Sequence, residues 1–265
     1  MGSKAKLAER IIYASKAAKI AKASRLGIIA SALLSFMIFA ISYYGETVGN
    51  FTFSVDRLAL EAGITLNETI DGEDVTRLTA PRVDSADGMT SLCGTEYSRY
   101  LPGDDVCIPS DETVSSVDGN NSGESYLVYT FYVVNAGDIG VDLSAIIDVK
   151  SASKGAEEAL RLRVIFEGVG FDYYSATTYA RAQTSRGANP GEAEPLTEMF
   201  YTPTQILNRN LANIPDFGFL QPKDALRVTI VLWLEGEDAD HNLNIVGGGF
   251  KLAMEFTVSD TYEKF

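Results

Sequence analysis

From Leu26 to Tyr44 the chain reads LGIIASALLSFMIFAISYY, 19 residues without a charge. About 20 apolar helical residues cross a bilayer core, so this run is expected to enter a membrane. It divides the chain into a short leader and a long C-terminal part. Lys4, Lys6, Arg10, Lys16, Lys19, Lys22 and Arg25 precede it against Glu9 alone. Cationic flanks stay cytoplasmic, which places the N-terminus inside and residues 45–265 outside. Tyr43 and Tyr44 suit the outer interfacial belt. Within residues 1–25, Leu7, Ile11 and Ala18 share one side and Lys16, Lys19 and Lys22 recur every three residues, as in a helix lying on anionic lipid. A merely solvated basic leader is the other reading. For residues 26–44 a retained anchor competes with a cleaved secretory signal, in which Ala40 and Ser42 form a small-x-small pair. Export leaves the protein at the cell membrane in the first case and secreted in the second.

The leader carries a net +6, so the −14 of the whole chain leaves −20 on the other 240 positions. A surface of that sign repels nucleic acid. Beyond Tyr44 the pattern changes to short alternating apolar runs broken by Gly, Asp, Asn and Pro, the signature of an all-β, antiparallel sandwich. The strongest strands are Tyr126–Val134, Val141–Val149, Leu160–Phe166, Leu226–Leu234 and Phe250–Val258, each rich in branched and aromatic residues. In the last, Phe250, Leu252, Met254, Phe256 and Val258 alternate with polar or small residues, so one face is buried and the other wet. Phe51–Val55, Ile64–Leu66 and Arg77–Thr79 are weaker strands. The linker NAGDIG between Val134 and Val141 predicts a hairpin, and Glu157–Leu160 a helical turn. Residues 81–125 and 182–223 read as long surface connections, the second holding five of the eight prolines.

Cys93 and Cys107 are the only cysteines, with thirteen residues between them. On the outer side of a membrane a disulfide is the economical reading, and the absence of CxxC argues against a metal site or a nucleophile. His241 is the only histidine, which rules out multi-histidine metal sites; no GxSxG, HExxH or SxxK motif accompanies it. Its loop, EGEDADHNLN, offers Glu237, Asp238, Asp240 and Asn242 as oxygen ligands at the short spacing calcium prefers. It is not an EF-hand, because the sixth position from Asp238 is Leu243 and the twelfth is Gly249. A solvated turn is the alternative, and no other cofactor is indicated. Gly247, Gly248 and Gly249 precede a strand rather than a helix, so they mark a bend and not a phosphate cradle.

Three segments together resemble the TasA and camelysin group of exported Gram-positive proteins, the group with SipW-type signals. They are LWLEGEDADHNLNIVGGGFKLAMEF at 232–256, YYGETVGNFTFSVD at 43–56 and YLVYTFYVVNAGD at 126–138. The resemblance implies a jelly-roll-like sandwich, export, and either assembly into extracellular matrix fibres or a membrane-anchored surface role. Camelysin-like members are classed as metalloproteases, but no zinc-binding histidine motif is present here to carry that activity. The long basic leader and the lack of an A-x-A site depart from the group's pattern.

Three functions fit these features. The first is a non-enzymatic surface structural or interaction protein that pairs with further copies of itself or with another surface protein by strand addition, with Phe51, Thr52, Phe53, Ser54 and Val55 as the donor strand. The second is an anchored module whose long loops bind a cell-wall polymer, a partner protein or calcium, with Tyr97, Tyr100, Tyr173, Tyr174 and Tyr179 as candidate contact residues. The third is a hydrolase built on carboxylate pairs, for which no particular pair stands out.

Overall fold

The computed structural model describes residues 51–83, 87–211 and 219–262, together with Ser31, Leu33 and Ser35. The chain divides into two units, Met1–Val48 and Gly49–Phe265. In the first, the three described residues are helical and exposed. The leader, the rest of the apolar run and the interface tyrosines Tyr43 and Tyr44 lie outside the described residues. Among the described residues no helix is long and apolar enough to cross a membrane.

The second unit is mostly β and sandwich-like. Its strands are β1 (Phe51–Val55), β2 (Ile64–Asn67), β3 (Arg77–Ala80), β4 (Gly119–Asn120), β5 (Tyr126–Asn135), β6 (Gly140–Ser153), β7 (Leu160–Val169), β8 (Tyr174–Ala180), β9 (Glu198–Met199), β10 (Gln205–Asn210), β11 (Ala225–Leu234) and β12 (Gly249–Tyr262). Two short helices, α1 (Arg57–Glu61) and α2 (Asp111–Val114), lie between strands. One sheet runs β10-β6-β12-β1-β3; the larger runs β2-β5-β11-β7-β8-β9, with β4 beside β5. Most pairs are antiparallel, whereas β1 runs parallel to β12 and β9 parallel to β8.

Period-two alternation builds the core between the sheets. Phe51 and Phe53 of β1, Leu143, Ala145 and Ile147 of β6, and Leu252, Met254 and Phe256 of β12 face Leu127, Tyr129, Phe131 and Val133 of β5 and Leu226, Val228, Ile230 and Leu232 of β11 in one buried cluster. The alternation expected for the last strand thus holds, with its most buried residues at the three central positions. Asp56, just after β1, caps α1 by accepting from the Ala59 amide at 2.7 Å, which ends the strand and turns the chain.

Two local expectations are corrected. β5 and β6 form no hairpin: β5 pairs with β11 and β2, whereas β6 lies in the other sheet between β10 and β12. The linker crosses between sheets because Asn135, fully buried, donates from Nδ2 to the carbonyls of Ile139 and Leu220 and accepts from the Gly137 amide. Gly137 also passes so close to the loop after α1 that a Cβ there would lie 2.3 Å from the Ala62 carbonyl. Of residues 157–160, expected as a helical turn, 157–159 form a non-helical turn and Leu160 already begins β7.

The first long connection does more than cross the surface. Its Met89 and Val114 pack on Val128, Ile165, Val231 and Trp233, the outward residues of the larger sheet, and form a second small core. Cys93 and Cys107 are disulfide-bonded within this cover. Closing a loop of this size contributes about 3 kcal/mol in the chain-entropy account. The second connection contains β9 and β10 and so supplies an edge strand to each sheet.

Candidate functional site

Strand ends and loops create three features with the chemistry to recognise something: a buried ion cluster, a cleft beside His241, and a polar cleft on the outer face of the larger sheet.

The ion cluster grows from the outward positions of β7. Arg161 alternates with inward Leu160 and Leu162, so it emerges from the outer face, yet loops cover it and it is only 2 % exposed. Its guanidinium meets Asp238 at 2.8 Å and Glu194 at 3.5 Å and donates to the Leu160 carbonyl. Asp238 Oδ1 also accepts from the Asp240 amide, and Asp240 Oδ2 accepts from the Thr184 hydroxyl. Glu235, buried beside them, accepts from the Trp233 indole, the Ser91 amide and the Glu237 amide. The cluster therefore ties the loop after β11 to both long connections. Burial, then the neighbouring Asp238, pushes the Glu194 carboxyl upward; Asp240 and Glu235 add to this, and Arg161 opposes it.

The residues expected to hold calcium are placed here. Asp238 and Asp240 turn inward onto protein donors, and Glu237 is exposed. Asn242 donates to the Asp240 carbonyl and accepts from the Asn244 amide, which starts a single 3-10 turn at Leu243–Ile245. Among the described residues no group of three or more His, Cys, Asp or Glu is arranged to hold a metal ion.

His241 lines a cleft of about 820 Å³ floored by Leu127, Leu232, Leu234 and Ile245. Its imidazole packs against the backbone of Gly88, where a Cβ would sit 2.6 Å from Cε1. Gly247, at φ +69, makes the bend expected of the triple glycine.

The outer cleft, about 900 Å³, is floored by Arg163, Glu167, Tyr174 and Arg227 and walled by residues 108–116 of the disulfide-bonded cover. Asp111 accepts from Arg163 Nε at 2.7 Å and Nη2 at 2.6 Å, and from the Tyr174 hydroxyl at 2.7 Å. Burial alone would raise this carboxyl, but the bonds from Arg163 and Tyr174 hold it below the usual carboxylate range. The Tyr174 phenol is pushed up to about 12, by burial first and then by Asp111. Arg227 reaches Asp118 at 3.1 Å and Glu167 at 3.4 Å, and Asp118 also accepts from the Tyr132 hydroxyl.

The candidate donor strand Phe51–Val55 is β1 itself. Phe51, Thr52, Phe53, Ser54 and Val55 pair in order with Leu252–Phe256 on one side, and the first four pair with β3 on the other. Of the five candidate contact tyrosines, Tyr97 and Tyr174 are exposed, Tyr100 is half-buried, and Tyr173 and Tyr179 are buried in the core. Sequence reasoning overlooked Arg161, Arg163, Arg227 and Asp111. The arginines at alternate positions of LRLRVIF were a visible signal that β7 presents its outward face to polar partners. Compared with protein-family models, with curated proteins and with solved structures, the chain matches none.

Proposed function

We propose that the protein is a non-enzymatic cell-surface structural or interaction protein of the TasA-like kind, exported so that residues 45–265 lie outside, with a jelly-roll-like ectodomain that assembles by exchange of its first strand. One observation supports this above the rest. β1 follows directly on the segment expected to enter or leave the membrane, and it fills a slot parallel to the last strand, with β3, only four residues long, as its other neighbour. Its two phenylalanines, both fully buried, anchor it in the core. A second copy presents the same strand, and main-chain pairing plus two apolar anchors is the chemistry of strand addition. Within one copy the slot is filled by the chain's own strand, so assembly exchanges equivalent contacts and needs no new surface.

Protein recovered from its own host and imaged by electron microscopy is expected to form filaments whose number falls when Phe51 and Phe53 are both replaced by Ser. Uniform monomers at micromolar concentration, unchanged by that double replacement, contradict strand exchange.

A second reading is favoured by the two clefts. An anchored binding module, with the disulfide-bonded cover and the loop after β11 shaping its recognition face, uses the same fold without assembly. Monomers that melt at a higher temperature with a cell-wall polymer present support that reading.

A further inference from the structure

The outer cleft is built around one fixed aromatic ring. Tyr174 is 59 % exposed, the largest exposure of any residue on the cleft floor. An exposed tyrosine ordinarily exchanges rotamers. This one is held by its strand at one end and at the other by its hydroxyl, which donates to Asp111 at 2.7 Å. Asp111 is in turn fixed by the two-pronged bond from Arg163, and Arg163 Nη1 donates to the Thr178 hydroxyl at 2.9 Å. A ring ordered in advance offers its face to a ligand without the entropy cost of immobilising it.

The polar groups around the ring narrow the ligand class. Every donor nitrogen of Arg163 is engaged by Asp111 or Thr178, and both terminal nitrogens of Arg227 face Asp118 or Glu167. An anion would therefore have to displace protein carboxylates. The acceptors are more accommodating: Glu112 is exposed on the wall, and Glu167 is the register partner of Tyr174 across β7 and β8. Carboxylates with spare lone pairs accept from hydroxyl donors. An aromatic face, carboxylate acceptors and committed cations together suit a molecule with many hydroxyls and an apolar C–H face.

We infer that this cleft binds a neutral glycan, one sugar ring stacked on Tyr174 and its hydroxyls donating to Glu112 and Glu167. The inference rests on the binding-module reading and names its ligand.

The test uses the full-length chain in sugar-free lipid nanodiscs, fluorescently labelled, on an array of neutral and acidic glycans. Wild-type protein is expected to be retained on neutral glycans. Tyr174→Ala is expected to weaken retention about tenfold, the scale of one aromatic stacking contact, and Tyr174→Phe, which keeps the ring but frees it, less. Glu112→Gln, on the exposed wall and away from both cores, reads the same site should Tyr174→Ala fail to fold. Tyr97→Ala, an exposed tyrosine outside the cleft, is expected to change nothing. Retention of no glycan by the wild type, equal retention by Tyr174→Ala and Glu112→Gln, or a preference for acidic glycans overturns the inference. Filaments without glycan retention would remove this inference and leave strand exchange standing; retention without filaments would do the reverse.

Discussion

Phe53→Ala is expected to lower the unfolding free energy by about 3–5 kcal/mol, the range for deleting a buried aromatic ring. Phe53 has no exposed surface, and its ring lies 4.5 Å from that of Phe131, 4.7 Å from Phe51 and 5.4 Å from Tyr129. These partners come from both sheets, so the ring is where β1 joins the small sheet to the large one. Its neighbours lie on extended strands fixed by ladders on both sides and cannot collapse into the space, which places the cost at the upper end of the range. Denaturant unfolding followed by tryptophan fluorescence measures it, since Trp233 is the only tryptophan and is buried against the cover. A loss under 1 kcal/mol would show that β1 is not integral to the core. The same variant weakens the anchor by which β1 grips any slot, its own or a neighbour's.

Asp238→Ala is expected to cost about 3 kcal/mol, the low end for breaking a buried ion pair. Arg161 would keep Glu194 at 3.5 Å but lose its closest partner. The reciprocal Arg161→Met leaves Asp238 and Glu194 facing each other without a cation, and is expected to cost as much or more. Because each single change strands a buried charge that the other removes, the double variant should lose less than the sum of the two by at least 1 kcal/mol. Strict additivity in a double-mutant cycle would mean the two side chains are not energetically coupled.

These two sites differ in how far sequence alone reveals them. β1 was legible: Phe51 and Phe53 alternate with polar residues, and the observed strand has the expected bounds. The five strong strands were legible from their runs of branched and aromatic residues, and the last of them also from a two-residue period that reports one buried face. Pairing was not. NAGDIG has the chemistry of a local turn, but the Asn135 side chain ties it to Leu220, 85 positions away, and tertiary hydrogen bonding overrode the local signal. The acidic loop likewise reads as a set of oxygen ligands because its partner is invisible locally: Arg161 is 77 positions from Asp238. The outer cleft joins Asp111 to Tyr174 across 63 positions, so its geometry could not be read from spacing, although Tyr174 itself stood out as a candidate contact residue. The two-residue strands β4 and β9 are too short to carry any period.

In strand exchange, β1 of one copy occupies the slot of another. Thr52 and Ala253 are register partners on the parallel pair β1 and β12, and both are half-buried. Neighbouring strands lie about 4.8 Å apart, within the span a disulfide bridges. Thr52→Cys and Ala253→Cys would be made in separate chains, mixed under oxidising conditions and resolved by mass without reductant, with the double variant as the control for bridging within one chain. Strand exchange predicts a covalent dimer in the mixture, linking residue 52 of one copy to residue 253 of the other. A bridge that forms in the double variant while the mixture stays monomeric would show that β1 never leaves its own chain, and would contradict the account.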